Sequence, residues 1–407
     1  MKMSLLLTCL FVSSTALSHV VSSDPRSITA VYADLALLRS AGIPVLFADE
    51  GTSVGYAAIT GDMQNRLSDL SHKNGRCGNF EALPEIPRDL SVVKNNFSSM
   101  NRQLAKDQEY LNVVRNIDLG PHQVIVDALQ ELKSDNIKET VTWLSSYPSR
   151  YNRAASPNTH VDAMFAKLKA MTADLPYATV EMIAHKNTPQ KSIRVSLKGS
   201  QRPEQYVILG GHLDSINGWG GSGPAPGADD NASGSASILE AMRVFITKGQ
   251  PQRTVEFMWY AGEESGLLGS AEIAESYKLA KRNVIGVLQL DMTMFPGDGE
   301  GKIASINDFT SPWLRDYLRT INTAYIGVEI FDDKCGYGCS DHASWNRRGY
   351  PALMPAEAKF NTMFQDLHTP RDVISPVMSF THSLVFSKIA LVMALDLGNS
   401  NASESAP

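Results

Sequence analysis

An apolar run in the middle of the chain ends in residue types that could bind a metal. Val207–Leu209 is followed by two glycines and then by His212 and Asp214. A loop rich in glycine and proline next carries Asp229 and Asp230 to the start of a predicted helix. In open α/β sheets, ligands bind at the edge where the strands end. This stretch therefore predicts a metal or catalytic site at the edge of a buried strand.

Acidic or imidazole side chains also follow three further predicted strands. They are Glu263 and Glu264 after Val255–Tyr260, Asp291 after Val284–Leu290, and His368 after Tyr350–Met354 and a longer loop. Imidazole and carboxylate together select Zn²⁺, Mn²⁺ or Co²⁺. Two histidines and three carboxylates can hold two such ions ~3.5–4 Å apart when one carboxylate bridges them. Taken singly, each group could instead cap or complement a helix, but their position at one sheet edge favours a metal centre.

Alternating strand and helix patterns would position these groups. The strands predicted are Thr179–Ile183, Ile193–Leu197, Tyr206–Leu209, Val255–Tyr260 and Val284–Leu290, and the helices are Val124–Leu132, Ile137–Leu144, His160–Met171, Ser235–Ile246, Leu267–Leu279, Pro312–Asn322 and Pro376–Leu397. Continuous apolar strands are typical of sheets that are buried on both faces. The pattern predicts an α/β fold with three α/β/α layers and a mostly parallel, mixed central sheet.

The first residues indicate export. Lys2 precedes an apolar stretch that contains Leu5–Leu7, and small residues follow around Ser13–Ser18. A charged start, a short apolar core and a cleavage zone predict a secretory signal peptide over residues 1–18. The apolar core is far shorter than the ~20 residues that a membrane span needs. We therefore expect a secreted protein, extracellular or periplasmic, without a membrane span.

Residues 19–107 are predicted to form a small separate α+β unit that ends in a linker. Helical spacing covers Tyr32–Ser40 and Met63–Leu70, and short strands are predicted at Ile43–Phe47 and Val54–Ile59. The unit carries no cluster of catalytic residue types, which is typical of a folding or interaction domain. The catalytic domain is predicted over residues 108–400.

Two of the four cysteines lie close together, at Cys335 and Cys339. In an exported protein such a pair favours a disulfide. Ligation of a metal by the two thiolates is the alternative. We prefer the disulfide because the chain supplies oxygen and nitrogen ligands elsewhere. Cys77 has no obvious partner.

These motifs, in this order, resemble the secreted bacterial leucyl aminopeptidases of zinc peptidase family M28. The matching stretches are Gly-Gly-His-Leu-Asp-Ser, Ala-Pro-Gly-Ala-Asp-Asp, Glu-Glu-Ser-Gly-Leu-Leu-Gly-Ser, Leu-Gln-Leu-Asp-Met-Thr, Cys-Gly-Tyr-Gly-Cys-Ser-Asp-His-Ala-Ser-Trp and His-Thr-Pro-Arg-Asp. The resemblance covers residues 108–400 and implies a zinc-peptidase fold. More loosely, residues 19–107 look like the family's propeptide, including Arg76-Cys77-Gly78.

The resemblance also implies a role for each site residue. His212 and Asp291 would bind one zinc ion, Glu264 and His368 the other, Asp230 would bridge them, Glu263 would be the general base, Asp214 would orient His212, and Tyr337 would stabilise the oxyanion. The two ions would lower the pKa of a bridging water, and Glu263 would take its proton and return one to the leaving amine. The peptide bond between Asp230 and Asn231 would be cis, with Asp229 and Asn231 as scaffolding around it.

The residues that match the family's specificity pocket remain apolar. They are Met292, Phe360, Met363 and Leu367. Ala356 and Met363 stand where the family pattern has large aromatic residues, with Phe364 next in the chain. A preference for leucine or another large apolar N-terminal residue is implied. A long basic side chain lying along this wall is the alternative.

Three other functions remain open from the sequence. A relative could act on a dipeptide or an acyl-amino bond, a glutaminyl cyclase on this fold would use one zinc, and a binding homologue would have lost its metals. The presence of all five ligands and the base disfavours the last of these. The expected partners are peptide or protein N-termini, with the propeptide as an inhibitor or folding aid of a monomer. The net charge of −6 gives no indication of a nucleic-acid partner.

Overall fold

A computed structural model describes residues 28–50, 53–73, 80–87, 89–94, 122–218 and 223–399. The predicted signal peptide and Cys77 lie outside the described residues. The strands are β1 (Ile28–Asp34), β2 (Phe47–Asp49), β3 (Val54–Thr60), β4 (Phe80–Ala82), β5 (Ala178–Ile183), β6 (Ser192–Leu197), β7 (Arg202–His212), β8 (Arg253–Tyr260), β9 (Asn283–Gln289), β10 (Lys302–Ile306), β11 (Glu329–Asp333), β12 (Ala352–Leu353) and β13 (Pro355–Ala356). The helices include α1 (Leu35–Ser40), α2 (Gly61–Lys73), α3 (Gln123–Leu129), α4 (Ser134–Ser145), α5 (Thr159–Met171), α6 (Gly234–Phe245), α7 (Leu268–Leu279), α8 (Pro312–Ile321), α9 (His342–Arg347) and α10 (Phe380–Asn399).

Six strands form the central sheet, in the order β12-β9-β7-β8-β6-β5. The first four run parallel, β6 pairs antiparallel with β8, and β5 pairs antiparallel with β6. The predicted α/β fold with a mostly parallel, mixed sheet is therefore confirmed. Strand β7 is longer than predicted at both ends, and at its C-terminal end it pairs through Gly210 and Gly211. A Cβ atom on Gly210 would lie 2.3 Å from the Tyr260 ring, so only glycine fits this close approach.

The two faces of the sheet are covered by different helices. Val207 and Leu209 of β7 share an apolar core with α6 and α10, whereas Ile208 points into a second core with Ile273 and Tyr277 of α7. Side chains alternate across a strand, so one continuous apolar run serves both layers. Helix α10 is apolar and long enough to cross a membrane by composition, and most of it is buried in this core.

Two smaller sheets lie outside the central one. Strands β10, β11 and β13 form a three-stranded sheet, and β1 to β4 form a four-stranded sheet in the order β2-β3-β1-β4. The predicted helix at Tyr32–Ser40 was wrong in its first turn, because residues up to Asp34 pair with β3 in β1. The strand expected at Ile43–Phe47 begins instead at Phe47. In each case sheet pairing overrides the local apolar spacing.

We call the described residues between 28 and 94 the N-terminal unit, and residues 122–399 the main unit. The two units share buried contacts. Leu268 of α7 is buried in the apolar core of the N-terminal unit, together with Leu67 and Phe80. Where these units begin and end as independently folding domains remains a prediction.

Candidate metal centre

The carboxyl ends of three parallel strands bring the predicted site residues to one edge of the sheet. His212 is the last residue of β7, Asp291 follows β9, and Glu263 and Glu264 form a short 3₁₀ turn after β8. His368 reaches the same place from a loop, where its φ is +54°. These five side chains are all buried. Parallel pairing of the strands therefore gathers groups that are far apart in sequence.

Asp230 lies between the two histidines. Its Oδ1 is 3.1 Å from His212 Nε2, and its Oδ2 is 2.9 Å from His368 Nε2. Asp291 Oδ1 lies 3.3 Å from His212 Nε2, and Glu264 Oε2 lies 3.3 Å from His368 Nε2. The result is two groups of three potential metal ligands that share Asp230, with the ligand atoms in each group within 4.8 Å of one another.

Glu263 lies close to the same ligands. It forms a third group with His212 and Glu264, again within 4.8 Å. Neither of its carboxylate oxygens has a hydrogen-bond partner among the described residues, although both are buried. Distance alone therefore does not distinguish a metal ligand from a base at this position.

The electrostatics of the cluster fit bound cations. Burial raises the pKa of Glu263 and of Glu264, and neighbouring carboxylates raise both further. Burial would also raise the pKa of Asp230, but the hydrogen bonds and charges of His212 and His368 lower it. Buried carboxylates are costly unless positive charge compensates them. Two imidazoles and several carboxylates are the donor set that Zn²⁺ or a similar divalent ion takes.

Asp214 contacts both His212 and the 3₁₀ turn. His212 Nδ1 lies 3.1 Å from the main-chain oxygen of Asp214 and 3.6 Å from its carboxylate. The carboxylate accepts hydrogen bonds from the backbone N–H groups of Glu263 at 3.0 Å and Glu264 at 3.3 Å. The orienting contact to the imidazole therefore comes mainly from the carbonyl, and the carboxylate holds the turn.

The loop that carries Asp230 is held by its backbone. The Asp230–Asn231 peptide bond is cis, as the resemblance implies. The buried carboxylate of Asp372 accepts hydrogen bonds from the N–H groups of Asp229 at 2.8 Å and Asp230 at 3.0 Å. The Asn231 side chain accepts a hydrogen bond from the N–H of Met292 and donates one to the main-chain oxygen of Leu290, directly after β9. These contacts fix the loop independently of the Asp230 side chain.

Arg150 was missed by the sequence analysis. Its guanidinium is buried and donates hydrogen bonds to the main-chain oxygens of Leu144, Leu213, Pro226 and Gly227. Burial lowers the pKa of Arg150 to about 10, with nearby carboxylates opposing the decrease, so the side chain is charged at neutral pH. It ties the His212 loop to the Asp230 loop and adds positive charge beside the cluster. Arg150 belongs to none of the motifs in the sequence, so its type and position alone do not reveal this role.

Replacing Arg150 by alanine is expected to lower the free energy of unfolding by about 3 kcal/mol or more. Several buried carbonyls would lose a charged donor, and one such hydrogen bond contributes about 1.5–3 kcal/mol. Urea denaturation of the full chain measures the change. Arg153→Ala is the matched control, because Arg153 is exposed three residues away and should cost less than about 0.5 kcal/mol. Equal midpoints for the two variants would contradict this role.

A small apolar cavity adjoins the metal centre. Its lining includes Asp291, Met292, Tyr337, Ala356, Glu357, Phe360, Met363 and Leu367. The structure thus brings the predicted pocket residues together beside a metal-ligand candidate. Phe364 packs behind this wall, against Met292 and Leu367. The disulfide between Cys335 and Cys339 is confirmed, and it closes the short loop that carries Tyr337 onto the cavity.

Three further polar residues form a hydrogen-bonded chain that ends on Asp291. Ser340 Oγ donates a hydrogen bond to Asp291 Oδ2 at 2.5 Å, and Gln289 Nε2 donates to Ser340 and to Asp341. Burial raises the pKa of Asp341 to about 7. Such partners orient a ligating carboxylate. Ser340 and Asp341 lie in a quoted sequence motif, but their roles depend on contacts that the sequence does not show.

This arrangement defines a metal-dependent hydrolase site on an α/β sheet, and comparison with known proteins identifies the family. The model of peptidase family M28 matches residues 192–393. A probable leucine aminopeptidase of Trichophyton verrucosum is 37% identical over 286 residues, which are 66% of this chain and 78% of that protein. Leucine aminopeptidase 1 of Trichophyton equinum is 37% identical over 65% of this chain and 74% of its own length. The chain belongs to peptidase family M28 and is a metallo-aminopeptidase.

Solved structures agree with this assignment. The crystal structure of Legionella pneumophila LapA aminopeptidase has a TM-score of 0.75 at 25% identity, covering 92% of this chain and 99% of that one. LapB from the same organism has a TM-score of 0.76 at 22% identity, covering 91% and 100%, and shows the shared fold.

Proposed function

We propose that this chain is an exported aminopeptidase that works with two zinc ions and releases large apolar N-terminal residues from peptides. One observation carries the proposal of two ions. Asp230 directs one carboxylate oxygen toward His212 and the other toward His368, and each side is completed by a further carboxylate. Export rests on the first 18 residues alone.

The side chains have separate tasks in this proposal. His212, Asp291, Asp230, Glu264 and His368 would hold the ions. Bound zinc would supply Lewis acidity and lower the pKa of a water molecule. Glu263 takes the proton of the attacking water and delivers a proton to the leaving amine. The Tyr337 hydroxyl donates a hydrogen bond to the oxygen on which negative charge develops.

Burial fits Glu263 for this proton transfer. It raises the pKa of the carboxyl above that of an exposed glutamate. A base is most efficient when its pKa lies near the working pH. Asp214 accepts a hydrogen bond from the backbone N–H of Glu263 and so fixes the main chain of this residue. The carboxylate oxygens of Glu263 have no hydrogen-bond partner among the described residues and stay available for proton transfer.

Leucyl-p-nitroanilide is expected to be cleaved with a kcat/KM at least roughly tenfold above that of the arginyl substrate. The cavity walls are apolar, and burying an unpaired charge there costs more than 1.4 kcal/mol, which is a factor of ten. Burial and the neighbouring Asp229 carboxylate raise the pKa of Glu357 well above its ordinary value, which disfavours the ionised form that could pair with a basic side chain. A panel of aminoacyl-p-nitroanilides, with and without a chelator, measures the preference and the metal dependence. Equal rates for leucine and arginine would favour the basic alternative.

A glutaminyl cyclase function would need one zinc rather than two. Glutaminyl cyclase from Porphyromonas gingivalis shares the fold, with a TM-score of 0.52 at 16% identity. The two ligand groups around Asp230 support the aminopeptidase instead. Zinc content of the purified chain separates the functions, since two ions per chain are expected here and one would favour the cyclase.

A further inference from the structure

The N-terminal unit binds the back of the turn that carries Glu263 and Glu264. Ser68 Oγ donates a hydrogen bond to the main-chain oxygen of Glu264 at 3.1 Å, and Gln64 Nε2 donates to that of Ser265 at 3.1 Å. The N–H of Ala82 in β4 donates to the oxygen of Gly266 at 3.0 Å. Three successive carbonyls of the turn are therefore capped by the N-terminal unit.

The shape of the turn matches this contact. Gly266 has a φ of +108°, and a Cβ atom there would lie 2.5 Å from the Phe80 ring. Gln64 and Ser68 are both buried, on the same stripe of α2 as the buried Leu67. Leu268, two residues beyond the glycine, completes the core of the N-terminal unit. The turn thus packs directly against the N-terminal unit.

A buried charge cluster anchors the same interface. Glu81 in β4 forms ion pairs with Arg347 and Arg348 of the main unit, and all three side chains are at least 90% buried. Burial would raise the pKa of Glu81, but the two arginines lower it, so the carboxylate is ionised. Separating the units would break both of these buried ion pairs. The two units thus share a buried ion-pair cluster as well as an apolar core.

We propose that the N-terminal unit is a working part of the enzyme, in which Ser68 and Gln64 are positioning residues for the Glu263–Glu264 turn. The proposal rests on the functions proposed above for these two glutamates. Asp214 holds the N–H groups of the turn from the main unit, and the N-terminal unit holds its carbonyls from the other side. Both clamps are needed because a displacement of about 1 Å at a catalytic group can cost 10²-fold in rate. A removable propeptide, which the resemblance implies, would leave the carbonyls uncapped.

The test uses single and double alanine variants of Ser68 and Gln64 in the full chain. Each single change is expected to lower kcat for leucyl-p-nitroanilide roughly threefold to tenfold, the equivalent of one neutral hydrogen bond. KM should stay within about twofold, because neither residue lines the apolar cavity. Ser68→Thr keeps the hydroxyl and should restore kcat. Arg66→Ala is the matched control, since Arg66 is exposed on the same helix.

Further measurements distinguish a positioning role from a purely structural role of these residues and from failure of the proposed function. The thermal unfolding temperature and the folded fraction are recorded for every variant. A kcat that falls only in step with the folded fraction would overturn the positioning role. So would an active species that lacks residues 28–94 and keeps full kcat, identified by mass spectrometry. A wild-type chain that binds zinc but cleaves no aminoacyl substrate would instead refute the proposed function itself.

Discussion

Glu263→Ala is expected to lower kcat about 10³-fold while leaving two zinc ions bound. A positioned general acid–base contributes typically 10²–10⁴-fold. The five side chains of the two groups around Asp230 remain intact in this variant, so the metal content should not change. Hydrolysis of leucyl-p-nitroanilide and elemental analysis of zinc on the same sample measure both quantities.

This experiment decides a point that geometry leaves open, because Glu263 also lies within ligand distance of His212 and Glu264. Loss of zinc together with activity would make Glu263 a ligand. Near-normal activity would remove it from the proton transfer altogether. Glu139→Ala, at an exposed position on α4, is the matched control and should behave as the wild type does.

Asp230→Ala is expected to abolish the dizinc centre. The variant should bind fewer than two zinc ions and lose at least about 10³-fold in kcat/KM, since metal ions contribute several kcal/mol to the transition state. Asp230 belongs to both groups of three candidate ligands, whereas each of the other four residues belongs to one of the two. Its loss therefore affects both ions. Zinc content, activity and far-UV circular dichroism are measured together.

The Asp230 variant should still fold. The N–H groups of residues 229 and 230 stay bonded to Asp372, and Arg150 still joins the neighbouring loops. Asp162→Ala, an exposed carboxylate on α5, serves as the control and should leave zinc content unchanged. Two tightly bound zinc ions in Asp230→Ala would contradict the bridging role.

The central sheet could be predicted because its strands are continuous apolar runs. Strand β8, for example, is buried along its whole length, so its pattern is unambiguous. Strands β10 and β11 were not predicted; β11 is half exposed and lacks a continuous apolar run. Both strands are defined by their pairing with each other, and β10 also by its pairing with β13, rather than by a local sequence pattern.

Most candidate metal ligands could be predicted for a related reason. Parallel strands place whatever follows them at one edge, so His212, Asp291 and Glu264 meet without any knowledge of side-chain packing. Arg150 and Ser68 could not be found in this way. Each donates a hydrogen bond to a main-chain oxygen more than 60 residues away. No residue type or spacing in the sequence indicates which donor meets which carbonyl.

The shared core around Leu268 sets an order of events during protein synthesis. Ribosomes extend chains at about 5–20 residues per second, and domains generally fold from the N-terminus onward. The strands and helices of the N-terminal unit are complete at residue 94, but their core lacks Leu268 until many more residues have been added. For roughly ten seconds or more the nascent chain therefore exposes the apolar side of Phe80 and Leu67. This apolar surface is buried in the folded enzyme, but each nascent chain exposes it until Leu268 has been synthesised.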